Sequence, residues 1–325
     1  MLNGKTVLVT GGTGSFGTNF VRMTAENYKP KELIIFSRDE MKQWEMAKEY
    51  AGVHNVRFVI GDVRDSARVR QVTAGVDIVV HSAATKIVPS AELDPFECIK
   101  TNIIGGMNVI DASIENEVEK VVVLSTDKAS NPVSLYGATK FTSDKMFIAS
   151  GHKRRSSKTQ MCVVRYGNVM CSRGSIIPFF QSIPRDQPFP ITDPRMTRFM
   201  MTLEQGVQFV WFALQEMKGG EIFVRKCFSC NIMDIAEAIR PGFKYVVTGI
   251  RDGERIHEQM IGTGESRFAR EFDNHYTILP PYFRDFPVFE DIAKLPPVPE
   301  EFVYDSYTNK DQVTAGELQD IIKNI

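Results

Sequence analysis

Little in this chain suits an extracellular or membrane setting. Its 325 residues hold five cysteines, Cys98, Cys162, Cys171, Cys227 and Cys230, an odd and scattered set that argues against a disulfide framework and fits a reducing compartment. No apolar run approaches the length of a bilayer span, and Met1-Leu-Asn-Gly-Lys5 lacks the apolar core of a signal peptide. A cytoplasmic protein with no membrane partner is therefore expected. Charge of one sign is missing too: 39 basic residues face 40 acidic ones, and a formal net charge of -1 offers no field to nucleic acid. The basic run His152 to Lys158 has no interleaved aromatics and reads as a solvated loop. Cys227-Phe-Ser-Cys230 has no second pair and no histidine at finger spacing, so no metal site is expected. Internal repeats and clean linkers are absent as well. What remains is an ordinary globular composition, 43% hydrophobic and 24% charged, with ample core and a small-molecule partner.

The chain opens with a β-branched run, Thr6-Val-Leu-Val-Thr10, then Gly11-Gly-Thr-Gly-Ser-Phe-Gly17, then the periodic segment Asn19 to Glu26. That order predicts strand, glycine loop and helix. Glycines 12, 14 and 17 fit the dinucleotide fingerprint, and those at 11, 14 and 17 fit its GxxGxxG variant. Either lets the backbone approach a pyrophosphate at a helix N-terminus. Further strands are predicted at 32–36, 56–60, 77–80, 120–124 and 161–165, with long helices over 102–115 and 136–150. The alternation predicts an α/β fold, a Rossmann-type doubly wound parallel sheet. Beyond Arg165 the rhythm weakens and loops lengthen, as a smaller C-terminal substrate-binding lobe would require, although a helix at 203–218 and a strand at 221–225 return to the first lobe. Residues 280–299 are proline-rich and are expected to form an extended surface arm, and Thr314 with Glu317 a capping box opening a last helix.

About 20 residues beyond the last glycine, where an acidic residue would bind the ribose of NAD, stand Ser37 and Arg38. A guanidinium suits a 2′-phosphate, so NADP is expected over NAD, with Asp39 either a helix cap or turned to the ribose. Asp62 and Val63, at a strand's carboxyl end, suit an adenine, and Ala83 and Ala84 leave room over the switch point. His81 follows a buried strand and reads as structural; Lys86, just beyond it, faces either the cleft or solvent. Tyr136 and Lys140 sit four apart and share one helix face, where an ammonium favours a phenolate able to accept an alcohol proton. Thr126, Asp127 and Lys128 precede them. They add an acid and a base, more than simple dehydrogenation needs, unless Asp127-Lys128 is only an ion pair at a turn.

These blocks resemble the extended short-chain dehydrogenase/reductase superfamily and, within it, the inverting UDP-N-acetylglucosamine 4,6-dehydratases. The resemblance covers most of the chain. It rests on the glycine loop, Phe36-Ser-Arg-Asp-Glu40, Glu97-Cys-Ile-Lys-Thr-Asn102, Ser125-Thr-Asp-Lys-Ala129 with Tyr136-Gly-Ala-Thr-Lys140, Val164-Arg-Tyr-Gly-Asn-Val169, Pro190-Ile-Thr-Asp-Pro-Arg-Met-Thr-Arg198 and Gly253-Glu-Arg-Ile-His-Glu258. Thr126-Asp127-Lys128 is the most specific block, because retaining hexose dehydratases of the superfamily have Asp-Glu there and 4-epimerases usually lack the couple. The resemblance implies that Tyr136, held by Lys140 and Thr126, takes the C4 hydroxyl proton as hydride leaves for NADP. Lys128 would then remove the C5 hydrogen, Asp127 would protonate the departing C6 hydroxyl, and hydride would return to C6 with inversion at C5. It implies cofactor contacts at Gly11, Gly14, Ser15, Phe16, Gly17 and Asn102, besides the residues named above. Substrate contacts are implied at Lys86, Asn168, Arg173, Ser175 and Arg198, with Arg251 on the diphosphate and Glu254 on ribose hydroxyls. Cys171 replaces the glycine of the related Val-Met-Gly turn. The implied partners are UDP-N-acetylglucosamine or a related nucleotide sugar, and further copies of the chain in a dimer or hexamer. Residues 1–167 and about 200–226 would form the NADP-binding domain, and about 168–199 and 227–325 the sugar-nucleotide lobe. A 4-epimerase and a non-catalytic NADP-binding regulatory protein are the alternatives; loss of Tyr136 or Lys140 would mark the latter, and both are present.

Overall fold

The computed structural model describes residues 1–153 and 158–324, so most of the basic run expected as a solvated loop lies outside the described residues. The first half alternates as its sequence predicts: β1 (Thr6–Thr10), α1 (Ser15–Asn27), β2 (Glu32–Ser37), α2 (Glu40–Glu49), β3 (Val56–Ile60), α3 (Ser66–Thr73) and β4 (Ile78–His81). There follow α4 (Val88–Leu93), α5 (Pro95–Ile99), α6 (Gly105–Glu115), β5 (Lys120–Leu124), α7 (Leu135–Lys153) and β6 (Gln160–Arg165). Val7 to Val9, Ile78 to Val80 and Val121 to Val123 are buried on both faces of their strands, the reason these runs read as continuously apolar. They form the centre of a nine-stranded sheet. Strands β1 to β6 pair in parallel, with β2 and β4 on opposite sides of β1. That reversal opens a crevice at the carboxyl ends of β1 and β4, where ligands of doubly wound sheets bind.

The second half begins with β7 (Asn168–Val169), α8 (Ile176–Ser182), β8 (Phe189–Ile191) and β9 (Thr197–Met201). Next come α9 (Leu203–Glu216), β10 (Ile222–Arg225), β11 (Phe228–Asn231), α10 (Ile232–Ile239), β12 (Tyr245–Val247) and β13 (Gln259–Ile261). The last elements are α11 (Thr263–Ser266), β14 (Ala269–Glu271), β15 (His275–Ile278), α12 (Glu290–Ala293), β16 (Tyr304–Asp305) and α13 (Ala315–Lys323). Helix α9 opens on a Thr202/Gln205 capping box, and β10 lies parallel to β6 in the large sheet. Beyond β10 the hairpin β14–β15 adds two antiparallel strands, so residues 269–278 belong to the large sheet although the sequence groups them with the second lobe. A separate core of Met170, Ile177, Phe180, Phe189, Ile232 and Ile235 joins α8, β8 and α10, with Leu318 from α13. The Thr314/Glu317 capping box opens α13.

Two local expectations need correction. The helix read as starting at Asn102 starts instead at Pro95, where the Asp94 side chain accepts from Glu97 N, and it passes through a π turn over Lys100–Ile104 before α6. The proline-rich segment is no extended arm. Leu279, Phe283 and Phe289 make a buried cluster with Phe268, Phe286 and Ile292, because aromatics three residues apart fold onto one side of successive short turns. No helix among the described residues is long and apolar enough to cross a membrane.

Candidate active site

The glycine loop is built for close approach. Gly11 has φ +67°, and a Cβ on Gly17 would stand 2.6 Å from Gly12 Cα, so side chains are shut out of this turn. Helix α1 begins immediately after it with no side-chain cap and no acidic residue in its first turn. Its free N–H groups and positive dipole end fit a pyrophosphate. Ser37 is buried and its Oγ accepts from Thr13 Oγ1 at 3.1 Å and from Gln43 Nε2 at 3.0 Å. Asp39 caps α2 through Lys42 N at 3.0 Å and pairs with Lys42 Nζ at 2.7 Å. The exposed Arg38 beside it has no such engagement among the described residues.

Other expected cofactor residues are already occupied. Asp62 accepts from Arg64 N and Nε, both at 2.9 Å, and from Arg64 Nη2 at 2.7 Å, so little capacity remains for an adenine amino group. Val63 is buried against Gly105, and a Cβ built on Gly11 would meet Ala83 N, while Ala84 is open. Asn102, in the π turn, donates to Thr85 O at 2.9 Å and Thr139 Oγ1 at 3.0 Å and accepts from Thr85 N at 2.8 Å. It braces the loop after β4.

The reaction residues gather where β5 ends. Asp127 is wholly buried in a 3-10 turn; its Oδ1 accepts from Thr126 Oγ1 at 2.7 Å and lies 3.1 Å from Lys128 Nζ, while Oδ2 has no partner. Lys128 Nζ also lies 3.0 Å from Glu258 Oε1, and Glu258 is only 3% exposed. Burial pushes the Asp127 carboxyl up against the pull of Lys128, with Glu258 adding to the rise. Burial also opposes charge on Lys128, but Asp127 and Glu258 outweigh it and hold the ammonium above its usual range.

Tyr136 and Lys140 come into this cleft on α7, both buried. Burial pushes the Tyr136 phenol up to about 12, against Lys128 and a hydrogen bond with Thr126. Lys140 is desolvated too, which lowers its pKa against the pull of Asp144. His81 is structural; it hydrogen-bonds Thr10 Oγ1 at 2.7 Å and burial drives its pKa to about 3.

The expected substrate residues divide. Lys86 Nζ donates to Arg173 O at 3.2 Å and Arg173 N to Ser15 Oγ at 3.1 Å, so these two stand together over the glycine loop. Ser175 precedes α8 with a buried, unpartnered hydroxyl, and Asn168 lies in β7 opposite Met200. Arg251 and Glu254 are paired with each other in an open loop. Arg198 does not reach outward. It donates to Thr197 O at 2.7 Å and Ile256 O at 2.9 Å, and its Nε is 3.7 Å from Glu258 Oε1, because its side chain lies under the chain instead of over the cleft. Cys171 adopts φ +57°, the left-handed backbone that a glycine there would accept freely. Among the described residues no group of three or more His, Cys, Asp or Glu could hold a metal ion. Sequence reasoning missed Glu258, although it closes the quoted block Gly253 to Glu258.

The sequence pattern of the polysaccharide biosynthesis protein family matches residues 7–280. The chain belongs to this family. Over its full length it is 47% identical to a Campylobacter jejuni UDP-N-acetylglucosamine 4,6-dehydratase (inverting), 99% of which is covered. It is 42% identical over 84% of its length to a UDP-glucose 4-epimerase of Rickettsia canadensis, covering 82% of that protein. Among solved structures, Pen from Bacillus thuringiensis superposes with a TM-score of 0.90 at 34% identity, over 100% of this chain and 99% of that one. A Streptomyces venezuelae dTDP-glucose 4,6-dehydratase with NAD bound shares the fold at a TM-score of 0.70 and 22% identity, over 77% of this chain and 86% of that one.

Proposed function

We propose that the chain is an NADP-dependent lyase, a 4,6-dehydratase that converts UDP-N-acetylglucosamine to a 4-keto-6-deoxy sugar with inversion at C5. The observation that carries this reading is the buried couple of Asp127 and Lys128, 3.1 Å apart, in the turn that leads to the helix of Tyr136. Bound in the crevice, NADP would accept hydride from C4 and give it back at C6. Tyr136 takes the C4 hydroxyl proton, with Thr126 and Lys128 favouring its phenolate against burial. The ketone acidifies the C5 hydrogen, and a single proton then serves the elimination. By exchange before the site closes, it leaves the N–H of Lys128 that neither carboxylate holds and is taken up on Asp127 Oδ2, leaving a neutral amine as base and a neutral acid as donor. When the amine takes the C5 hydrogen and the acid protonates the departing C6 hydroxyl, water leaves and the couple is again an ion pair; hydride returned to C6 then gives an enolate, which takes a proton at C5 on the face opposite the one that lost it, and the centre is inverted.

NADP is favoured because Asp39 is spent on Lys42 and the cap of α2, while Arg38 is free for a 2′-phosphate. A cytoplasmic enzyme fits five free cysteines, and self-association fits the exposed Leu93 and Phe96 beside α5. The test is incubation with UDP-N-acetylglucosamine in heavy water. Loss of water with deuterium at C5 supports the proposal; C4 inversion without loss of water points to a 4-epimerase, the activity named for the Rickettsia relative; an unchanged sugar leaves a silent nucleotide-binding protein.

A further inference from the structure

We propose that Glu258 is a positioning residue for the acid–base couple: its carboxylate takes one N–H of Lys128 while Asp127 takes another, which leaves the third tetrahedral position of the nitrogen for the C5 hydrogen. The inference rests on the dehydratase reading above. The two acceptors are Asp127 Oδ1 at 3.1 Å and Glu258 Oε1 at 3.0 Å. A neutral lysine has two N–H bonds and one lone pair, so two fixed acceptors define where the lone pair points. With one acceptor the amine would rotate, and the pair would be aimed at the C5 hydrogen only part of the time.

The arrangement also explains an orphan. Asp127 Oδ2 is buried without a partner, although Oδ1 has two. If Oδ1 holds Thr126 and Lys128, Oδ2 is the oxygen left to carry the acid proton towards the C6 hydroxyl.

Glu258 is itself held in place. Its N–H donates to Ser306 Oγ at 2.9 Å, its carbonyl accepts from Ser306 N at 2.8 Å, and Arg198 Nε stands 3.7 Å from the oxygen that meets Lys128. Arg255 Nη1 donates to Ser130 O at 3.0 Å, fastening this segment to the turn that carries Asp127. The charged and titratable groups facing Lys128 and Glu258 are thus Asp127, Tyr136, Arg198 and Arg255. Glu258 reaches the couple from the far side of the chain, in the segment that begins with Arg251 and Glu254. Contacts that move that loop would therefore also move the base.

The full-length protein with NADP and UDP-N-acetylglucosamine decides the matter through Glu258→Gln, which keeps an acceptor and loses the charge, and Glu258→Ala, which loses both. Water loss and C5 deuterium exchange should fall about tenfold in the first, which keeps an acceptor, and about 10²-fold in the second, the low end of general acid–base effects. Formation of reduced nicotinamide in a single turnover should stay at the wild-type rate. The alkaline limb of the pH–rate profile should move to lower pH in both, because the ammonium loses a carboxylate neighbour. Ser306→Ala, which frees the Glu258 backbone and leaves every charge in place, should slow the same step without moving that limb, and it supplies the answer if a Glu258 variant does not fold. Wild-type water loss and an unmoved pH profile in Glu258→Gln would overturn the inference, as would parallel loss of C4 oxidation and C5 exchange. Failure of the wild-type protein to dehydrate the sugar would instead sink the parent reading.

Discussion

Two buried ionic clusters lean on the same stretch of chain, residues 258–265, yet they are built to opposite ends. In one, Lys128 stands between Asp127 and Glu258. In the other, Arg165, with no exposed surface, holds Asp144 at 3.2 Å and Glu265 at 2.8 Å and donates to Met260 O at 2.7 Å, while Ser125 Oγ donates to Asp144 at 2.8 Å. The first ties the turn after β5 to Glu258, and the second ties the end of β6 and the middle of α7 to Met260 and Glu265. Each has two carboxylates on one cation. The difference is the cation: a guanidinium keeps its proton, so the Arg165 cluster is a staple, whereas an ammonium can give its proton to a neighbouring carboxylate. Chemistry needs the second kind, and a buried staple beside it spares the reactive cluster from holding the lobes together.

Exchanging the cations tests this division most severely. Lys128→Arg keeps the charge and its pairing but removes the base, so water loss should fall about 10²- to 10⁴-fold with thermal stability retained, as followed by product formation and an unfolding curve. A rate near wild type would erase the distinction between the clusters. Arg165→Met leaves Asp144 and Glu265 facing each other without a cation, and a loss of about 3–5 kcal/mol in denaturant unfolding is expected, with folded molecules still active.

Glu221 sharpens the comparison from a third side, as a buried carboxylate with no ion pair among the described residues and only the pull of Lys218 on its charge. Burial pushes its pKa from 4.5 up to about 7, against backbone N–H bonds, and its Oε2 has no partner. The folded state thus binds this proton more tightly than the unfolded one, so stability should drop as pH rises from 4.5 to about 7, by on the order of 3 kcal/mol. Glu221→Gln should flatten that slope and raise stability at neutral pH; an unchanged slope would show that the carboxylate is paired in solution. The smallest effect is expected at Cys171, outside any cluster. Cys171→Gly should relieve the left-handed backbone and raise stability by about 1 kcal/mol, read as a higher Tm.

The sheet was readable because strands buried on both faces leave unbroken runs such as Lys120 to Leu124, and the glycine loop because Gly11 and Gly17 have no room for a Cβ. Tyr136, Lys140, Asp127 and Lys128 are neighbours in sequence, so their gathering was readable as well. Glu258 was not. A lone carboxylate far along the chain carries no periodicity, and only the fold brings it to Lys128. Arg198 donates to the Thr197 and Ile256 carbonyls, a use of its guanidinium that sequence could not tell from the expected phosphate contact, since the group suits either acceptor. The segment 280–299 was misjudged because its prolines outweighed the spacing of Phe283, Phe286 and Phe289.

The widened turn at Lys100–Ile104 amounts to one surplus residue inserted in an otherwise regular helix. Deleting a single position there would restore ordinary winding and leave the turns on either side in register, yet it would erase the local widening that presents Asn102 to the crevice. Asn102 would lose Thr85 and Thr139, and the ledge beside the crevice would slacken without any charged group having been touched. A chain one residue shorter and locally more ideal would thus be the poorer catalyst.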